Sequence, residues 1–173
     1  MLLQILAHTP RWVFAIFALL VWLGAKKFFA GTVGLGRVTV MPIVMTGLSI
    51  SGLVSVFGDS PAALAGWAVA ALVVAALVLQ RSLPATTRYD APTRQFHLAG
   101  SAVPLVLMMG IFFTKYVAGV MLAMHPELNH DATFAVVVPT LYGVFSGVFT
   151  GRALRLWKLA LRQDRALGAA NAA

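Results

Sequence analysis

The stretch MMGIFFTKYVAGVMLAM (108–124) is almost wholly apolar apart from one lysine, Lys115. Whether it crosses a membrane decides the fold, and composition answers first. Of 173 residues, 60% are hydrophobic and 10% charged, against roughly 45–50% and 25% in an ordinary soluble domain. A soluble fold built from this chain would lack the polar surface to cover its exterior. The length fits one domain spanning 1–173. The absence of cysteine excludes disulfides, thiolate metal sites, iron–sulfur clusters and cysteine nucleophiles.

Working outward from 108–124, four more stretches approach the roughly 20 apolar residues that a membrane-crossing helix needs. The five predicted spans are about 10–29, 38–57, 61–80, 101–124 and 133–153. Helix-entry chemistry precedes them: Thr9-Pro10, Ser60-Pro61, Ser101 before Pro104, and Asp131 or Thr133. The first span is the least comfortable, since its uninterrupted core Trp12–Ala25 reaches only about 21 Å. No basic residue precedes the apolar run of MLLQILAHTPRW and no small-residue cleavage pattern follows, so no removable signal peptide is expected.

A formal charge of +8 raises nucleic acid as a partner, and the positions of the charges answer it. Lys26, Lys27 and Arg37 lie between spans one and two, and Arg81, Arg88 and Arg94 between three and four. Arg152, Arg155, Lys158, Arg162 and Arg165 follow span five. Apart from Lys115, only Arg11 is left for the other side, together with the acidic Asp59, Glu127 and Asp131. The positive-inside rule then places the N-terminus outside and the basic tail 154–173 in the cytoplasm. These charges flank spans and touch anionic lipid; no compact basic domain for nucleic acid is expected. The fold expected is therefore an all-α integral membrane bundle of five helices. GTVGLGRV (31–38) reads as a flexible turn, and ATTRYDAPTRQFHLAG (85–100) as an ordinary polar loop. RALRLWKLALRQDRAL (152–167) reads as a continuation of span five into the interface.

Two features carry candidate function. YGVFSGVFTGR (142–152) places Gly143, Gly147 and Gly151 four apart, a ladder that lets helix backbones approach in lipid, where apolar side chains gain nothing by meeting each other. It serves either an internal contact with span two or four, or a seam between copies or with a larger membrane complex. A small-residue face of Gly47, Ser51 and Ser55 on span two favours the internal contact. The second feature is Lys115 itself, about 21 Å from the inner end of its span and 14 Å from the outer. A charge at that depth costs at least about 2.5–3.5 kcal/mol, helical side chains lean away from the nearer exit, and no span contains a carboxylate. Three arrangements relieve the cost. The amine is carried uncharged; or it donates to Tyr142, Ser146, Ser51 or Ser55, or lies against Trp67; or it faces a wet cavity holding an anion. Lys115, Tyr142, Ser146, Ser51 and Ser55 form the candidate substrate site.

Other chemistries have less support. Ser146-Gly147 lacks the membrane-depth histidine a serine nucleophile needs, because His8, His97, His125 and His130 all fall at or beyond span ends. The same placement excludes a haem held between spans, and no cofactor or enzymatic activity is expected. MHPELNHD (124–131) groups His125, Glu127, His130 and Asp131, of which His125, His130 and Asp131 are weak metal candidates without a standard spacing.

RWVFAIFALLVWLG (11–24), GSAVPLVLMMGIFFTKY (100–116) and YGVFSGVFTGR resemble a family of small, uncharacterised multi-pass proteins of bacterial inner membranes, a domain of unknown function. Gly100-Ser101, Pro104, Lys115-Tyr116 and the Gly143–Arg152 ladder carry the resemblance. It implies a bacterial inner membrane and supplies no activity. Two functions follow for testing: binding or passage of a small anionic or polar solute at Lys115, or an accessory protein that assembles through the glycine ladder.

Overall fold

A computed structural model of the chain describes residues 10–58 and 60–171, so Thr9, His8 and Asp59 lie outside the described residues. Among the described residues there are five α-helices: α1 (Arg11–Ala25), α2 (Leu35–Phe57), α3 (Pro61–Gln80), α4 (Val103–Met124) and α5 (Ala132–Asn171). The last four are long and apolar enough to cross a membrane. α1 has 15 residues and ends in a 3-10 turn, Lys26–Phe28, so the span expected over 10–29 is α-helical over a shorter stretch. Large apolar side chains such as Trp12, Ile43, Leu72 and Val106 point away from the protein, each more than 60% exposed. That is an exterior suited to acyl chains rather than water, and the protein is a membrane protein.

α3 and α5 run parallel and form the main seam. The other three helices run as follows. α2 lies antiparallel against α5, and α1 packs antiparallel on α4. The α1–α4 contact is made by Phe17 against Phe112, with ring centroids 5.5 Å apart, and by Gly24 against Leu105. α4 meets α5 where Gly110 admits the Phe145 ring; a Cβ there would lie 2.8 Å from it. At the far end, Asp131 Oδ1 accepts the Phe134 N–H at 2.8 Å and starts α5. Ser60 makes no side-chain cap, so α3 begins on Pro61 alone.

The bundle is not all-α. A three-stranded antiparallel sheet in the order β1-β3-β2 is built from β1 (Gly31–Gly34), β2 (Arg88–Asp90) and β3 (Gln95–Leu98). Both segments expected to be plain loop or turn contribute to it. The alternation is period two: Tyr89 and Phe96 turn inward while Arg88, Gln95 and His97 turn outward. Val33 pairs with Phe96 on the other edge. The hairpin turn closes with the Thr93 hydroxyl donating to Asp90 and with Arg94 at a φ of 51°, and the Leu35 N–H donates to the Arg94 carbonyl at 3.0 Å.

The sheet has something to bury against because α5 does not stop near residue 153. It continues as one 40-residue helix, and Phe96, Tyr89, Val38 and Ala160 form a core there, flanked by Leu156 and Trp157. Trp157 Nε1 donates to Thr39 Oγ1 at 3.0 Å, which itself donates to the Leu35 carbonyl. The first turns of α2 are thereby tied to the far half of α5.

Candidate functional site

α2 and α4 both lean on α5 but scarcely touch each other. The gap between them is a groove of about 130 Å³, room for about four waters at roughly 30 Å³ each. Its floor is one stripe of α5, Tyr142, Phe145, Ser146 and Phe149, spaced three and four apart as neighbours on a helix face. Met45, Leu48 and Ser49 of α2 form one wall, and Ile111 and Lys115 of α4 the other.

Lys115 stands at the groove's mouth, on the exposed side of α4. Its Nζ lies 5.6 Å from the centroid of the buried Tyr142 ring, within cation–π range. It also lies 3.1 Å from where a Cβ on Gly52 would sit. Gly52 is five residues before the end of α2, about 7.5 Å along the axis. The missing side chain of Gly52 leaves the ammonium a place between α2, α4 and the Tyr142 ring. Among the described residues it has no hydrogen bond or ion pair.

Of the hydroxyls expected around Lys115, the structure brings Tyr142 and Ser146 to the groove. It does not bring Ser51 or Ser55. Both are exposed, and Ser55 Oγ donates back to the Gly52 carbonyl at 2.9 Å. The α2 serine that lines the groove is Ser49, whose Oγ accepts from Trp67 Nε1 at 3.0 Å. Trp67 thus acts through Ser49. The signal was present in the sequence: Met45, Ser49 and Gly52 follow one helical stripe, while Ser51 lies two residues on, about 200° around the helix from Ser49.

The glycine ladder meets α3, not α2 or α4. A methyl on Gly143 would sit 2.9 Å from Ala70 Cβ, one on Gly147 2.9 Å from Val74 Cβ, and one on Gly151 2.8 Å from Val78 Cβ. The carbonyls of Trp67, Ala71 and Ala75 close the same gaps. Alanines and valines along α3 supply the second small face, whereas Gly47 on α2, expected to do so, has nothing within 4 Å.

A family model, "Family of unknown function (DUF6622)", matches residues 1–169. The chain belongs to that family. No curated protein and no solved structure matches it. The match spans the residues of the groove, the ladder and the sheet, and it carries no activity with it.

At the rim of this DUF6622 chain, His125 Nδ1 and Glu127 Oε1 are 2.9 Å apart, both exposed. The Glu127 carboxyl is held below its ordinary value of 4.5, first by a hydrogen bond from its own backbone and then by His125. Asp131 is occupied as the α5 cap, and the His130 side chain lies outside the described residues. Among the described residues, no three histidines or carboxylates gather where they could hold a metal.

Proposed function

We propose that this protein binds a small anionic or polar solute at Lys115, in the groove between α2 and α4. The observation that carries this reading is an ammonium group midway along the apolar helix α4 whose described neighbours are a glycine, an aromatic ring, two serines and apolar side chains, with no carboxylate. A cation so placed is costly unless an anion or water accompanies it. The groove beside it is open, and the hydroxyls of Ser49 and Ser146 line it. The occupant is small: a single carboxylate or phosphate group, or the head of a larger molecule whose remainder extends into the bilayer. Uptake and binding of small carboxylates and phosphate, measured in reconstituted vesicles, test it. Lys115→Met should lower binding about tenfold or more, the worth of one charge-assisted hydrogen bond, while Lys115→Arg retains most of it. Equal binding by Lys115→Met and the wild type rules the reading out.

The alternative, an accessory protein that assembles through Gly143, Gly147 and Gly151, has to contend with α3 already lying on that ladder. Assembly would need another surface.

The orientation belongs to the same proposal: sheet and basic tail in the cytoplasm, Glu127 outside, in a bacterial inner membrane. The chain has no cysteine, so single cysteines report cleanly. Glu127→Cys should react with a membrane-impermeant thiol reagent in intact cells, and Gly168→Cys only after lysis. The reverse pattern would invert the assignment.

A further inference from the structure

We propose a second anion site, for a phosphate group, in the cleft at the sheet end of the bundle. This cleft of about 580 Å³ is within the range of small-molecule sites and is separate from the Lys115 groove. Here the ends of α1 and α3, the start of α4 and the middle of α5 come together with β1 and β3. Lys26, Arg152 and Arg155 line it, and no carboxylate among the described residues does. Like charges gathered without a carboxylate repel, and a bound anion relieves the repulsion.

The two arginines are three residues apart on α5, hence neighbours on one face. Arg155 donates through Nη2 to the Ser82 carbonyl, while its Nε–H is buried with no partner among the described residues. Lys26 lines the cleft from the turn after α1, with its Nζ 3.6 Å from the centroid of the exposed Trp22 ring. Thr87 and Ser101 also line it, and the first turn of α4, where Ser101 Oγ accepts the Val103 N–H at 3.2 Å, brings the positive end of that helix dipole to the same cleft. Two guanidinium forks and an ammonium around one cavity match the several oxygens of a phosphate better than the two of a carboxylate. Phe29, Leu98 and Leu156 supply an apolar wall. Such a wall suits a phosphate that carries an apolar body, whether a lipid headgroup or a free phosphate ester.

The test uses the whole protein in neutral detergent, with tryptophan fluorescence as readout, because Trp22 lies under Lys26. One arm titrates short-chain phosphatidic acid, with short-chain phosphatidylcholine as the zwitterionic comparison; the other titrates inorganic phosphate and glycerol phosphate. Saturable binding in either arm, weakened about tenfold or more by Arg152→Gln and left unchanged by Arg162→Gln on the exposed tail, supports the site and identifies its source. Lys26→Gln, on the turn after α1, is the second variant should Arg152→Gln fail to fold, and it should weaken binding in the same arm. No saturable binding in either arm overturns the proposal. So does an Arg162→Gln variant that loses as much affinity as Arg152→Gln, because the charges would then act only in bulk. Lys115→Met leaves this binding intact, which separates the two sites.

Discussion

Gly147→Leu should drive α3 off α5 and destabilise the protein by about 3 kcal/mol, the upper end of the usual overpacking cost. The reason is what the new side chain would meet. At Gly147 the neighbours are the Ala71 backbone and Val74 Cβ, the latter 2.9 Å from a first added carbon. Neither can swing aside as the tip of a long side chain can. Relief requires the helices to separate, and separation strips the contacts at Gly143 and Gly151 as well. In lipid those close contacts are the attraction itself, because acyl chains can replace any looser apolar packing. Gly47→Leu is the matched comparison: the same substitution in α2, at a position with nothing within 4 Å, should change stability by less than about 0.5 kcal/mol. Thermal loss of the monodisperse species in detergent reads both. If the two variants melt alike, the α3–α5 seam is not what holds the bundle.

The contrast between these glycines also shows what was legible. Spans two to four stand within three residues of where hydropathy puts them, because in a bilayer the apolar run is the structural constraint. The four-residue repeat of glycine announced a close helix contact. It could not announce the partner, because α3 offers alanine and valine, which a search for glycine and serine passes over. The sheet was missed for a different reason. RYDAPTRQFHL alternates inward and outward residues across a turn-rich centre, the pattern of a hairpin, but its polar outer face is also that of any surface loop. The continuation of α5, together with Val38 of α2, gives Tyr89 and Phe96 something to pack on. At the site, Lys115 and Tyr142 were legible as a charge and a ring at one depth. Ser49 was obscured by the more numerous Ser51 and Ser55, and Arg152 and Arg155 by their standing among residues that also set topology.

Phe96→Ala should undo the sheet and leave the bundle standing. Phe96 is fully buried, with its ring centroid 4.8 Å from that of Tyr89 and with Val38 and Ala160 in the same core. Truncating a buried phenylalanine costs about 3–5 kcal/mol. Three short strands have little else to hold them, since a small sheet is stable only when it packs on something. The loss should remain local because α5 serves two separate cores. Ala160 belongs to the sheet core, and Tyr142 to a second cluster with Ala118, Phe134 and Val138. The two lie eighteen residues apart, about 27 Å along the helix. Hydrogen exchange should therefore speed up across residues 31–34, 88–98 and the last turns of α5, with trypsin cutting sooner at Arg88 and Arg94. The amides from Tyr142 to Gly151 should keep wild-type protection. Arg152 and Arg155 sit between the two cores, and the sheet forms one side of their cleft. The same variant should then lose phosphate binding while retaining whatever binds at Lys115. If exchange instead rises uniformly along α5, sheet and bundle unfold as one cooperative unit, and the cleft and the groove cannot act independently.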